Sequence, residues 1–340
     1  MGRLQVAIVG CGDYMYNVLW PLMRALPVQL AGICDIDPAK LDRFEALYNV
    51  PGRYERYHDM LDKVRPDAVI CAANATVHYE VAKACLEKGI HVFVEKTPCD
   101  TEAQARELAD LAQQQGRVAM VGFNRRFATG HQMINHIVKD KAFGDPAMFY
   151  SKFNAGPYKS HEHFVFNHII HHLDLAHYFL GDIKDISMRY RPVEEKKAAF
   201  IVDFTSVSGA IGTIQAACLP DEPLPMERID IVGTSGQEVV LDNLRSLYHY
   251  RSGPRRTVKQ VPLQPEGDTL AWVGNHGFAF GYHHMGFTEQ MEAFVAAIET
   301  GKDHGCSIAS CVPVMRDTEK LLGILKQYGK YSHSARNLRS

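Results

Sequence analysis

Glu95 and Lys96 close the run His-Val-Phe-Val-Glu-Lys at 91–96, where an apolar, β-branched stretch ends abruptly in two opposite charges. An amine held beside a reacting hydroxyl can donate a proton or polarise the oxygen, and a neighbouring carboxylate can accept hydrogen bonds from a ligand. The plainer reading is a solvated ion pair where a strand reaches water. A second set lies at 167–180. Asn167, His171, Asp174 and Tyr178 recur at i, i+4, i+7 and i+11 and share one helical face. An unperturbed imidazole titrates near 6.5, which suits proton exchange at neutral pH. Asn167 can orient a partner but cannot exchange a proton, and Asp174 reads equally well as structural. Ile169, Leu173, Ala176 and Leu180 form the opposite, apolar stripe, which should lie on a core. On spacing alone a satisfied polar network and a reactive site are evenly matched. The independent placement of Lys96 favours a site, with His171 as general acid/base.

A third set could bind a phosphate. Gly10-x-Gly12 follows the apolar run 5–10 directly and precedes a helical pattern. A dinucleotide pyrophosphate needs that arrangement: a tight turn, close backbone approach and helix N–H groups facing the anion. The third glycine of the usual fingerprint is replaced by Met15, which weakens the pattern. Asp35 ends the second strand, 23 residues beyond Gly12, where a carboxylate can accept from ribose hydroxyls. It could instead cap the helix near Pro38, a task open also to Asp37. An acid at this position favours NAD over NADP, since a 2′-phosphate would be repelled, and the nearest cation is Lys40.

The elements that must position these residues are legible in outline. Apolar runs at 5–10, 28–35, 67–73, 91–96 and 118–123 suit strands covered on both faces, and helical patterns at 16–26, 38–48, 76–88 and 101–115 separate them. Thr101 and Gln104 have capping-box spacing. The alternation predicts an α/β fold that begins with a doubly wound parallel sheet of the Rossmann type. In such a sheet ligands bind at the carboxyl ends of strands, which is where Glu95 and Lys96 stand. Beyond about residue 125 the pattern changes. Strand-like runs at 147–153, 185–192, 198–204, 209–217, 227–233, 237–242 and 247–251 follow one another through short turns, with Thr-Ser-Gly-Gln at 234–237 as a hairpin. These predict a second α/β domain with a mostly antiparallel sheet, flanked by helices at 167–180, 286–300 and 313–327. The expected division is a nucleotide-binding domain over 1–124 and a substrate-binding and oligomerisation domain over 125–340.

Whole-chain properties set limits. The 340 residues suffice for two domains. A formal net charge of −2 gives no basic field for nucleic acid or an anionic membrane. No run approaches the ~20 apolar residues needed to span a bilayer. The eight cysteines form no C-x-x-C pair and several lie in apolar runs, which favours reduced thiols and a cytoplasmic location.

The motifs together resemble the Gfo/Idh/MocA oxidoreductases. Glu-Lys-Thr-Pro at 95–98 is similar to that family's Glu-Lys-Pro motif, with Thr97 inserted. The segment 74–92, including His78, resembles the stretch before it, and Gly-Phe-Asn-Arg-Arg-Phe at 122–127 resembles the link into the second domain. The helix at 166–181 resembles the family's Asp-x-Gly-x-His-x-x-Asp helix, although Asn167 stands for the aspartate and Ile169 for the small residue. The resemblance implies a substrate pocket lined by Lys96, Asn167 and His171. An amide at 167 leaves His171 less basic than a carboxylate would. Cofactor contacts are expected from Gly10, Gly12, Asp13, Tyr14, Met15, Asp35, Ala73, Asn74, His78, Glu95, Lys96 and Asn124. Substrate contacts are expected from Lys96, Arg125, Asn154, Tyr158, Asn167, His171 and His284.

The resulting expectation is an NAD(H)-dependent dehydrogenase that interconverts a secondary alcohol and a ketone on a sugar, polyol, inositol or related small molecule. A non-catalytic dinucleotide-binding or redox-sensing protein of the same fold is the rival. Five histidines within 161–172 also raise a metal. His168 and His172 have helical His-x-x-x-His spacing, but no cysteine is near and the remaining ligands would come from a flexible approach; no metal is expected. The basic run 251–259 reads as a solvated hairpin tip. The open sheet face of the second domain predicts a homodimer or homotetramer.

Overall fold

Alternating strands and helices make the first sheet a parallel one, because each parallel pair needs a crossover. The computed structural model describes residues 3–220, 226–251, 256–258, 261–263, 269–273 and 285–336. The chain divides into two compact units: 1–127 with 286–316, and 128–285 with 317–340. The first unit thus includes the segment 286–316.

In the first unit, β1 (Leu4–Val9), β2 (Val28–Cys34), β3 (Arg53–Tyr54), β4 (Ala68–Cys71), β5 (His91–Glu95) and β6 (Ala119–Gly122) form a sheet of order β3-β2-β1-β4-β5-β6. All its pairings are parallel. The strand order reverses between β1 and β4, and in open α/β sheets the crevice at such a reversal receives ligands. The central strands are buried on both faces, as in the four-residue run Ala68–Cys71. The helices α1 (Trp20–Met23), α2 (Pro38–Leu47), α3 (Tyr57–Val64), α4 (Ala75–Glu87) and α5 (Glu102–Gln115) supply the crossovers. Asp37 caps α2 by accepting the Ala39 N–H at 3.0 Å, and Thr101 with Gln104 forms the expected capping box on α5.

The second unit is built on β7 (Pro146–Asn154), β8 (Ile183–Glu194), β9 (Lys197–Ser206), β10 (Ile211–Ala217), β11 (Met226–Gly233), β12 (Glu238–Asp242) and β13 (Ser246–Tyr250). With β16 (Thr269–Val273) they form an eight-stranded sheet of order β16-β13-β12-β11-β7-β10-β9-β8. Only β7 and β10 pair in parallel in this sheet. A separate short hairpin joins β14 (Arg256–Val258) and β15 (Val261–Leu263). The predicted Thr-Ser-Gly-Gln turn joins β11 to β12, with Gly236 at φ +83°. Ala198, Phe200, Val202 and Phe204 alternate inward along β9. They cover the same unit as α6 (Thr129–Val138), α7 (His161–Phe164) and α8 (Ile170–Leu180). The helices α9 (Phe287–Thr300) and α10 (Ile308–Arg336) complete the described chain.

Seven described elements are absent from the sequence reading: the strands β3, β14, β15 and β16, the short α7, and the helices α3 and α6. Met60 and Leu61 in α3 and Ile134 and Val138 in α6 are the buried apolar residues that mark those last two. The helix expected at 16–26 runs instead over 13–23 and is irregular, with a π-helical turn over Met15–Leu19 before α1.

Candidate active site

Gly10 follows β1 with φ +87°, and a Cβ there would lie 2.2 Å from the Ala72 carbonyl oxygen after β4. Only glycine tolerates that conformation and that approach. At Gly12 a Cβ would meet nothing within 4 Å, so the backbone faces open space. Asp35, 8% exposed, organises this turn. Its carboxylate accepts the Cys11 N–H at 2.8 Å and the Asp37 N–H at 2.9 Å, and Lys40 stands 3.7 Å away. Because Asp37 takes the helix cap, Asp35 remains at the carboxyl end of β2. An open glycine turn, helix N–H groups and an acid at the second strand fit a bound dinucleotide. Met15, in place of the third glycine, is wholly buried. The local backbone widens to a π-turn there, a common way to admit an extra side chain near functional positions. Asp13 is exposed and paired with Arg43 at 2.7 Å.

Glu95 ends β5 with 6% exposure. Burial pushes its carboxyl up to about 7, against the lowering effects of the Lys96 charge, the Lys96 backbone N–H and the Tyr14 phenol. The Lys96 N–H donates to Glu95 Oε2 at 3.3 Å. Burial pushes the Lys96 ammonium down, the Glu95 carboxylate raises it, and Arg125 lowers it further. The pair is therefore no solvated surface bridge. It is an acid and an amine, each held in an environment that disfavours its charge, and such groups collect at reactive sites. Arg125 and Asn124 are both buried, in the short 3-10 turn over Asn124–Phe127.

Three further residues brace these loops. His78, 1% exposed, accepts the Ala73 N–H on Nε2 at 2.8 Å and approaches the Thr97 carbonyl oxygen with Nδ1 at 2.8 Å. With both nitrogens spent on backbone, it holds the loops after β4 and β5. Burial depresses its pKa to about 4. Asn74 caps α4 through the Val77 N–H at 3.0 Å. Arg126, which the sequence did not single out, donates to the Gly305 carbonyl at 3.1 Å and Ser310 Oγ at 3.0 Å. Those partners are some 180 residues away in sequence, so no local pattern signals them.

In the second unit, α8 is buried nearly all round. His171 is 5% exposed and Asp174 is fully buried, so the middle of the polar stripe is covered like the apolar one, while Asn167 and Tyr178 at its ends are half-buried. Tyr178, on the same stripe, accepts from Asn135 Nδ2 at 2.9 Å and Gln132 Nε2 at 3.2 Å, a structural tie to α6. Asn167 donates Nδ2 to the His163 carbonyl at 3.1 Å. A second π-turn, over Val165–Ile169, precedes α8 and carries Asn167. Tyr158 packs edge-on against His168, ring centroids 4.3 Å apart. At the end of β7, Asn154 Oδ1 is buried without a hydrogen bond among the described residues. His284 and most of the basic run 251–259 lie outside the described residues.

His168 stacks on Phe153 at 5.4 Å, and His172 lies 3.6 Å from Glu227. Among the described residues, the ligand-type side chains that cluster in three are different ones: His177, Asp182 and Asp317. His177 Nε2 meets Asp317 Oδ2 at 3.0 Å, and Lys320 pairs with Asp317 Oδ1 at 2.9 Å. That is a partly buried polar network joining α8 to α10.

Residues 4–123 match the model of an oxidoreductase family with an NAD-binding Rossmann fold, Gfo/Idh/MocA. Over those residues the chain carries the NAD-binding Rossmann domain of that family. It is 28% identical over 185 residues to an inositol 2-dehydrogenase/D-chiro-inositol 3-dehydrogenase of Lactiplantibacillus plantarum, 52% of this chain and 53% of the relative. It is 34% identical over 149 residues to a D-glucoside 3-dehydrogenase of Escherichia coli, 42% of this chain and 41% of the relative. The chain thus spans about half the length of the curated relatives it matches first. A dehydrogenase from Chromobacterium violaceum has the same fold, with a TM-score of 0.86 at 24% identity over 98% of this chain and 99% of that one. The parallel sheet followed by a mostly antiparallel one is the architecture predicted from the sequence. No described helix is long and apolar enough to cross a membrane.

Proposed function

We propose that this chain, with its Gfo/Idh/MocA Rossmann domain, is an NAD(H)-dependent dehydrogenase that interconverts a secondary alcohol and a ketone on a sugar, polyol or inositol-like substrate. The observation that carries the reading is the buried Glu95 beside the half-buried Lys96 at the carboxyl end of β5, in the same unit as the Gly10–Gly12 turn. Bound nicotinamide would supply the hydride acceptor. The protein's part is to bind, orient and move the proton. Lys96, with its ammonium pushed down by burial, polarises the substrate oxygen and exchanges its proton. His171 serves as the second acid/base. Asn167 orients through its amide. Arg125, Asn154, Tyr158 and His284 contact substrate hydroxyl or acidic groups. Asp35 selects NAD over NADP, because its buried carboxylate would repel a 2′-phosphate.

The names of the relatives support the substrate class: an inositol dehydrogenase and a glucoside 3-dehydrogenase both oxidise ring hydroxyls. Steady-state NADH formation with a panel of inositols, glucosides and aldoses tests the proposal, and at least one should turn over with NAD+ preferred to NADP+. A protein that binds NADH and turns over no member of the panel, in either direction, would instead fit the redox-sensing reading, which Asn167 in place of a carboxylate favours.

Association belongs to the same proposal. Met148 and Ile211 pair across β7 and β10 and are 52% and 54% exposed on the open sheet face. A dimer or tetramer formed there would be weakened by Met148→Lys, as read by sedimentation velocity. The eight cysteines are all buried thiols, which accords with a cytoplasmic setting.

A further inference from the structure

Gln290 is the most fully buried amide on α9, with zero exposure, and neither its Oε1 nor its Nε2 has a hydrogen-bond partner among the described residues. Glu95 Oε1 is likewise buried and without one. An unsatisfied buried polar group destabilises a fold, so two of them need a reason.

Their placement supplies one. Phe287, Gln290 and Phe294 fall at i, i+3 and i+7 and share one stripe of α9. At one end of that stripe the Phe287 ring meets Tyr14 edge-on, centroids 6.0 Å apart. At the other end Phe294 meets Phe93 at 5.7 Å. Phe93 and Glu95 are two residues apart in β5 and therefore point to the same face. The Tyr14 phenol in turn interacts with the Glu95 carboxylate. Gln290 thus falls between two aromatic contacts that bracket Glu95, and it makes no direct hydrogen bond to Glu95 among the described residues. On the other side the carboxylate is walled by Gly122, where a Cβ would lie 2.5 Å from Glu95 Oε1. The charged and titratable groups that face Glu95 are Lys96 and Tyr14, with Arg125 acting on both of those.

We propose that Tyr14 and Gln290 are positioning residues that hold Glu95 as a carboxylate, Tyr14 by its phenol and Gln290 through one buried water, and so set the protonation of Lys96. The consequence for turnover rests on the role proposed above for Lys96, but the titration of its amine does not. A water is the natural bridge because buried waters commonly satisfy polar groups that cannot touch. Donors to Glu95 favour its charged form, and a charged Glu95 favours the ammonium of Lys96 against burial and Arg125. Removing a donor therefore lowers the pKa of Lys96.

The test reads that amine without substrate. The pH dependence of Lys96 acetylation by trace acetic anhydride, followed by mass spectrometry, is measured in Tyr14→Phe, Gln290→Met and Glu95→Gln, and in the two double variants with Glu95→Gln. Tyr14→Phe and Gln290→Met should each lower the apparent Lys96 pKa by roughly one unit, and Glu95→Gln by more. In the Glu95→Gln background neither should add a further shift, because both act through the carboxylate. Equal shifts with and without the Glu95 carboxylate, or no shift in the single variants, would overturn the proposal. So would a Gln290→Met protein that is more heat-stable than wild type with an unmoved Lys96, the result expected of a merely stranded amide. Because the amine is titrated in apo protein, the coupling of Glu95, Tyr14 and Gln290 to Lys96 is measurable even in a chain that turns over no sugar.

Discussion

The carboxylate of Glu95 rests on the backbone of Gly122, so closely that a Cβ on that glycine would lie 2.5 Å from Oε1 and 2.7 Å from Cδ. The two residues face each other across the β5–β6 pairing. A side chain at 122 would evict the acid from the position where it meets Lys96 and Tyr14.

Gly122→Ala should therefore destabilise the first unit by about 1–3 kcal/mol, the usual cost of overpacking a tight site. It should also lower turnover with whichever substrate is found. Urea denaturation measures the first effect and initial rates the second. Wild-type stability with wild-type rate would mean that Glu95 moves aside freely.

His78 gives a pH dependence with a definite sign. Burial holds its folded pKa at about 4 against an ordinary value of 6.5. As pH falls the unfolded chain takes up this proton first, so the ring's contribution is whole above about 6.5 and is lost as pH falls through about 4. The loss amounts to up to ~3 kcal/mol. In His78→Leu that contribution to the slope, up to ~1.4 kcal/mol per pH unit, should vanish. Urea unfolding at stepped pH between those limits checks it, and an unchanged slope would show that another group is responsible.

Asp35 holds the glycine turn and offers its carboxylate at the end of β2. Asp35→Ala removes a charged acceptor, a loss of about 1.5–3 kcal/mol. NADH affinity should fall roughly tenfold to a hundredfold, and NADPH affinity should fall less. Fluorescence titration of both cofactors decides the matter; equal losses would remove Asp35 from cofactor selection.

How far the sequence carried depends on the range of the interaction concerned. The Gly-x-Gly turn, the Thr101–Gln104 capping box and the charges ending β5 are local patterns, each set within a few residues by backbone chemistry, and they were legible. The succession of strand-like runs through short turns likewise announced the second sheet. The stripe Asn167–His171–Asp174–Tyr178 was legible as a stripe, but periodicity cannot say that a helix is covered on both sides, as α8 is. The dual hydrogen bonding of His78, the grip of Arg126 on Gly305 and Ser310, and the stripe of α9 over β5 join residues up to some 200 positions apart. Only folding brings those together. The helix α3 was missed although Tyr57, Met60, Leu61 and Val64 fall at i, i+3, i+4 and i+7, because the charged residues between them dilute the apolar signal.

The most direct test of the central claim is Lys96→Ala, assayed for turnover and for NADH binding in the same preparation. A rate lower by about 10²–10⁴ is predicted, the usual share of a general acid/base, with NADH affinity within a few-fold of wild type. Turnover that survives the substitution would contradict the claim and remove the amine from the chemistry.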